Sequence, residues 1–595
     1  MIDFHELQQR DLQAIGQQKQ RLQRLVLLRS ASFLAMIFAF AAGFDGHRLG
    51  TLLGVLLLAA FLLLVRRHQQ ASFEKLLTES HLGCVQSFLD RKSGKWRDFP
   101  DDGHDLMRED RPQEADLPIL GRASLYQYLT SARTKAGRQK LARWLSPFPE
   151  STDAILLRQQ AVRELSEAPQ ELLVLEARSH LLPLGTDLSD FCTMLEQDNV
   201  RKSTALRLLS YLMPGLSFIA LALSLAGQLD ITVPGLLFSL QLLLTFLLLR
   251  RSQALLAPLM ALPQELSVYE QLLAKIEAAD YKSPLLLTIQ KNMREQRASE
   301  GLHRLAKLAD LAAMRRNVFF FLVANAACLY DLHCTARAFA WKEACGRQLR
   351  RHLAAWAEVE ALLSLATPAL TRKTFCWPKL RAGSPSLEAQ AVTPLLIEET
   401  KAVPNDAAFQ AGTCIITGSN MSGKTTYMRT LATSAILAYA GAPVCAKAFA
   451  LTPMAVYTSI HVSDDLSRGI STFYAEILRI HQMIEASQEE RPLLLCIDEI
   501  FKGTNSADRI TGAAEAIKRL TRDWCITLVT THDFELCDLQ SPNGLPIENF
   551  HFEESYQDDK IHFDFKIRPG RCHTTNARYL LKMAGILSCI TSQKR

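Results

Sequence analysis

Residues 413–430 read Thr-Cys-Ile-Ile-Thr-Gly-Ser-Asn-Met-Ser-Gly-Lys-Thr-Thr-Tyr-Met-Arg-Thr. An apolar run enters the pattern G-x-x-x-x-G-K-[ST], met by Gly418, Gly423, Lys424 and Thr425. This is the spacing of a phosphate-binding loop between a strand and a helix. The backbone amides of Gly418, Ser419, Asn420, Met421, Ser422 and Gly423 wrap the phosphates, and the helix opening at Thr426 adds a favourable dipole. Lys424 reaches the β- and γ-phosphates, and Thr425 ligates Mg²⁺. A second apolar run, 492–497, ends in Asp498 and Glu499. Such a run delivers carboxylates to a sheet edge: Asp498 positions Mg²⁺, and Glu499 polarises the attacking water as a general base. A third, 526–531, ends at His532, which reads as a γ-phosphate sensor. The chemistry is Mg²⁺-dependent ATP hydrolysis, with Glu499, Lys424 and His532 as the catalytic groups.

Three such strands need a parallel sheet. From about residue 386 onwards apolar strand patterns alternate with helical ones, the signature of an α/β domain. A Pro- and Gly-containing connector, 368–385, precedes it. From 117 to about 367 apolar residues recur at three- and four-residue spacing, as at Leu302, Leu305, Leu308 and Leu311, the pattern of core-facing helices. Residues 69–115 are polar, include Asp-Asp-Gly-His-Asp at 101–105, and read as a linker.

Four apolar runs, 30–44, 49–65, 208–227 and 231–249, have or approach the ~20 residues that cross a bilayer's hydrocarbon core. Each pair is joined by a very short loop, so each reads as a hairpin. Arg21, Arg24, Arg29, Arg66 and Arg67 flank the first; Arg201, Lys202, Arg207, Arg250 and Arg251 flank the second. Positive flanks place both hairpins' ends in the cytoplasm. A cleavable signal peptide has no small-residue cleavage site before the second run, and buried core helices are the alternative for the second pair. A fifth run, 318–329, is too short to span and is expected to pack inside the helical domain. The expected organisation is a first hairpin with an amphipathic lead-in (1–68), a linker (69–115), an all-α core and lever domain (116–385) interrupted by the second hairpin (208–249), and an α/β P-loop ATPase domain of ABC type (386–595).

Of 595 residues, 48% are hydrophobic and 22% charged, which excludes a disordered chain. A formal charge of +6 permits a nucleic-acid or anionic-lipid partner without demanding one. The thirteen cysteines form no Cys-x-x-Cys pair, and several, such as Cys328, Cys414 and Cys496, sit in apolar runs. They read as buried thiols in a reducing compartment, with no zinc site.

The stretch 417–430 closely resembles the Walker A segment of the MutS mismatch-repair ATPases. Residues 464–476 (Asp-Asp-Leu-Ser-Arg-Gly-Ile-Ser-Thr-Phe-Tyr-Ala-Glu) resemble that family's signature segment. The stretches 498–505 and 530–536 complete the set in the same order, and 120–129, 134–145, 158–162 and 360–366 resemble parts of its helical core. The resemblance therefore covers about 116–595. It implies a composite ATP site in a homodimer: Ser471 and Thr472 face the γ-phosphate held by the partner subunit, Asn420 matches the family's loop asparagine, and 503–508 lies at the dimer seam. It also implies departures. No mismatch-recognition domain with its Phe-x-Glu element is expected, and the second hairpin stands where the family's DNA-gripping clamp interrupts the core. The chain looks most like the membrane-bound, MutS-related bacterial proteins, with the ATPase domain on the cytoplasmic side of the cell membrane. Three functions follow as expectations: a DNA-directed ATPase tethered to the bilayer, an ATP-driven membrane mechanoenzyme without DNA, or a nucleotide-controlled scaffold. Arg315, Arg316, Arg347, Arg350 and Arg351 are the helical-core cations that could meet DNA phosphates, or form a solvated face.

Overall fold

A computed structural model describes residues 2–44, 48–108, 110–196, 204–419, 421–460, 472–501, 506–541, 543–557 and 560–572. The chain is helical up to Thr371 and mixed α/β beyond it.

Two long antiparallel helices, Phe4–Phe44 and Arg48–Lys92, each run to about 60 Å at the helical rise, twice a bilayer core. Their half near the chain's start and Lys92 is zipped by cross-pairs: Phe4 stacks on Phe88 at 5.0 Å, Gln8 meets Gln86 at 2.7 Å and His81 meets Asp11 at 2.7 Å. The other half exposes leucine and phenylalanine. The expected linker is thus corrected over 69–92, where the helix simply continues: this stretch has no proline, and its Ala71, Val85 and Phe88 are buried. Beyond the helix, Trp96 and Glu114 are buried as well. Arg91 is buried and donates to the carbonyls of Tyr128 (2.6 Å) and Thr130 (2.8 Å), while Arg138 grips Asp101.

In the helical domain the expected stripe holds: Leu302, Leu305 and Leu308 of helix Ala298–Ala313 are buried. Helices Thr204–Leu225 and Thr232–Ala261 form the second hairpin, in which Gln241 turns inward onto Ser217. Among the described residues, five helices could cross a membrane by length and composition. In four, the two hairpins, only 6–22% of the apolar window is buried; the fifth, Tyr330–Thr371, is 72% buried and belongs to the core. Residues 318–328 depart from expectation. They form a separate helix, Val318–Cys328, whose one buried residue is Asn325 and whose Phe319 is 83% exposed. Cys328 is likewise exposed rather than buried. The run packs on the second hairpin through Phe321, while Val318, Phe319 and Val323 stay exposed among the described residues.

The strands are β1 Lys379–Leu380, β2 Ser386–Val392, β3 Asn405–Gln410, β4 Gly412–Thr417, β5 Ala448–Leu451, β6 Ala455–Ser459, β7 Leu493–Asp498, β8 Cys525–Thr530, β9 Ile547–Gln557 and β10 Lys560–Pro569. They build a four-stranded sheet ordered β1-β5-β2-β3 and a six-stranded sheet ordered β10-β9-β4-β8-β7-β6. In the larger sheet every pairing is parallel except β9 with β10. Strands β4, β7 and β8 are buried along their whole length, as fits central parallel strands covered on both faces.

Candidate active site

Strand β8 lies between β4 and β7, so the carboxyl ends of three adjacent parallel strands meet at one edge. Ligands of open α/β sheets bind at such edges. Strand β4 ends at Thr417 and turns through Gly418 at φ +143°. A Cβ there would lie 2.8 Å from the Phe552 carbonyl oxygen, so the close approach of β9 requires glycine. Gly423, at φ +109°, makes the second left-handed turn into helix Lys424–Ala440.

The Lys424 ammonium donates to the carbonyl oxygens of Gly418 (2.7 Å) and Ser419 (2.9 Å) within its own loop. Burial lowers its pKa, opposed by the carboxylates of Glu499 and Asp498. A cation partly stripped of water within this loop is suited to phosphate oxygens. Ser422 is buried and donates to the Ser419 carbonyl, whereas Met421 is exposed at positive φ. Thr425 Oγ1 donates to Asp498 at 2.9 Å, and Thr530 donates to the same carboxylate at 2.6 Å. A hydroxyl and one carboxylate fit Mg²⁺, a hard cation that keeps waters and takes its other ligands from substrate phosphates. Among the described residues no cluster of three His, Cys, Asp or Glu side chains suggests any other metal site.

Glu499 sits in the left-handed region at φ 53°, held by its N–H to Thr530 at 3.0 Å. Two residues on, Phe501 is at φ 61° with its N–H on Glu476 at 2.6 Å. Such strained non-glycine positions cost about 1–3 kcal/mol each and persist where the surrounding structure holds them. What this strain aims is the Glu499 carboxylate, 3.0 Å from His532 Nε2. His532 thus couples to the residue expected as general base.

The structure therefore brings together Gly418, Ser419, Met421, Ser422, Gly423, Lys424, Thr425, Asp498, Glu499 and His532. Thr426, next on the helix, lines a cavity of about 190 Å³ with Val392, Val403, Tyr427, Phe552 and Phe565. That apolar slot beside the loop could hold a nucleotide base. Thr472 is exposed at the start of helix Thr472–Ala486; Asn420, Ser471 and 503–505 lie outside the described residues. Sequence reasoning missed three participants. Thr530 clamps Asp498, Glu476 holds the Phe501 amide, and Glu554 on β9 accepts from Ser419. The first two lie within stretches the resemblance had singled out. Glu554 gave no signal, because β9 meets the loop only through sheet topology.

Buried contacts join this domain to the helices, among them Arg158 donating to the Tyr439 carbonyl at 2.9 Å. Asp116 accepts from Arg479 at 2.7 Å, Thr458 at 2.8 Å and the Ile460 amide at 3.0 Å. Arg479 lies on the helix beginning at Thr472.

Residues 414–594 match the family model for MutS domain V. The chain is 29% identical over 292 residues to "DNA mismatch repair protein MutS 2" of Haloarcula marismortui, covering 45% of this chain and 30% of that protein. It is 31% identical over 242 residues to "DNA mismatch repair protein MutS" of Natronomonas pharaonis, covering 40% and 28%. The chain spans less than a third of the length of these curated relatives. Its C-terminal domain is similar to MutS domain V.

Proposed function

We propose that this chain is a membrane-anchored, MutS-like ATPase that binds and hydrolyses ATP as a homodimer and acts on DNA. The observation that carries the ATPase reading is the meeting of Lys424, the Thr425–Asp498 pair and the Glu499–His532 pair at one sheet edge. The loop amides and Lys424 bind and orient the phosphates. Thr425 and Asp498 would hold Mg²⁺, which would neutralise charge on the phosphates. Glu499, aimed by its strained backbone, takes a proton from the attacking water, and His532 orients that carboxylate. In a dimer, Ser471 and Thr472 complete the partner's site. Four apolar helices with little of their surface buried support a multi-pass anchor, and the arginines at the hairpin ends support an ATPase domain on the cytoplasmic side.

The DNA component rests on the relatives' names and on Arg347, Arg350 and Arg351, all exposed. Arg350 already pairs with Glu196 at 2.8 Å. Arg315 leaves the expected group of phosphate-binding cations, because it is buried on Asp331 at 2.6 Å.

A second reading, a membrane mechanoenzyme without DNA, is favoured by connectivity. The second hairpin's helix Thr232–Ala261 abuts core helix Pro263–Ala278, and Asp116 ties the helical domain to the Arg479 helix. Closure of an ATP dimer would then move bilayer-embedded helices. The deciding measurement is the ATPase rate in nanodiscs with homoduplex, mismatched and branched DNA. Stimulation by DNA that disappears in Lys424→Ala supports the DNA reading. A robust rate indifferent to every DNA, with no binding at low salt, leaves the membrane engine.

A further inference from the structure

We infer that helix Val318–Cys328 is a third membrane contact, dipping into the cytoplasmic leaflet beside the second hairpin without crossing the bilayer. This rests on the membrane reading above and adds a segment to it. The helix has 11 residues, about 16 Å at the helical rise, half of a hydrocarbon core of about 30 Å. No charged residue lies between Arg316 and Asp331. Val318, Phe319 and Val323 are exposed at 67%, 83% and 68%, a larger apolar display than a soluble surface usually carries on one short helix.

Its neighbours say what covers that face. The chain bends by 110° from the preceding helix to enter this one. Phe321 then packs on Phe246 at 6.2 Å, one turn to the bilayer side of Arg250. The exposed face of the short helix is therefore continuous with the exposed hairpin residues Leu243, Phe246 and Leu247. Arg250 and Arg316 are exposed at the base, where cations meet lipid headgroups.

The turn at the helix's far end is sealed from within, as non-helical backbone at membrane depth requires. Asn325, fully buried, donates to the Phe321 carbonyl at 2.9 Å and accepts from the Asp331 N–H at 2.9 Å. Asn317 caps the helix start by accepting from the Phe320 N–H at 3.1 Å. Asp331 is buried against Arg315, so neither of these charges faces the apolar surroundings.

Tryptophan quenching by dibrominated phosphatidylcholine tests this in liposomes holding the full-length chain. Phe319→Trp is compared with Leu243→Trp in the hairpin and Leu184→Trp, an exposed site on the helical domain. Retained ATPase activity reports that each variant is folded, and the six native tryptophans give the background to subtract. The expected result is about twofold quenching of the added tryptophan at 319 and 243 and none at 184. Bromines near the headgroup should quench position 319 more than bromines deep in the chain. Quenching at 243 but not at 319 overturns the inference and leaves the hairpin reading standing; a face covered by a second copy would give that result. Stronger quenching of 319 by deep bromines overturns the single-leaflet placement. No quenching at either site overturns both.

Discussion

Strand β7 and the second helix of the first hairpin are written in the same letters and live in opposite surroundings. Leu493, Leu494 and Leu495 are 0% exposed between β6 and β8. In 51–58 (Thr-Leu-Leu-Gly-Val-Leu-Leu-Leu), Leu52 and Leu56 are each 60% exposed. In the sheet, leucine is removed from water by the protein itself. In the hairpin, two helices share one seam, and among the described residues only 6% of each apolar window is buried. A stretch of that length and exposure matches lipid, which solvates apolar side chains without packing them.

The same substitution in both regions breaks the comparison most sharply. Leu494→Asp places a carboxylate in a sealed strand with no partner, a cost of about 3–5 kcal/mol. Loss of the folded C-terminal domain is expected, read as the disappearance of its cooperative unfolding transition. Leu56→Asp should leave that transition and detergent-solubilised ATPase activity intact, while weakening membrane insertion by about 2.5–3.5 kcal/mol. A Leu56→Asp chain that unfolds in detergent like Leu494→Asp would show that the hairpin is protein core after all.

Within the head, Lys424→Ala removes the one cation inside the phosphate loop and should abolish nucleotide binding by calorimetry without moving the unfolding temperature. Glu499→Gln keeps that cation and the Thr425–Asp498 pair, so it should still bind ATP. Turnover should fall about 10²–10⁴-fold, and the protein should accumulate as a closed dimer on gel filtration with ATP. Wild-type turnover in this variant would remove Glu499 from the base role.

The smallest effect lies where the first hairpin meets the helical domain. Burial raises the Glu176 pKa to about 7, with Arg91 and Ser131 opposing. The folded state holds that proton up to about pH 7, whereas the unfolded chain releases it near 4.5. The stabilisation is therefore full at low pH and is lost as pH rises through that window. Neighbouring His180 is lowered to about 3 by burial, Arg133 and Arg91; its contribution is present above pH 6.5 and is lost as pH falls towards 3. The two slopes oppose each other in the native protein. Replacing Glu176 by Gln removes the first, so the unfolding temperature of the variant relative to wild type should climb between pH 5 and pH 8. A difference that stays flat would mean that Glu176 is not proton-coupled.

Legibility in the sequence followed the range of the forces involved. The phosphate loop was readable because glycine spacing, a lysine and a hydroxyl act over eight consecutive residues. The ends of β7 and β8 were readable because an apolar run stopped by Asp498 or His532 is a local pattern. Residues 69–92 were misread because a polar helix paired along one edge resembles a linker in composition; the partners of His81 and Phe88 are Asp11 and Phe4, seventy or more residues away. Arg315 gave no sign of burial, since Asp331 reaches it only after the chain has bent and returned.

By itself, the sequence determined the phosphate-binding loop, the carboxylates at the end of β7, the helical stripes and the existence of two apolar hairpins. Each is set by residues close together in the chain, where spacing alone dictates geometry. Only the tertiary structure decided that β8 would lie between β4 and β7, that Glu554 would meet the loop, and that Val318–Cys328 would stand uncovered beside the hairpin. Those outcomes depend on which distant surfaces pack against each other, and an apolar residue carries no mark of whether protein or lipid will cover it.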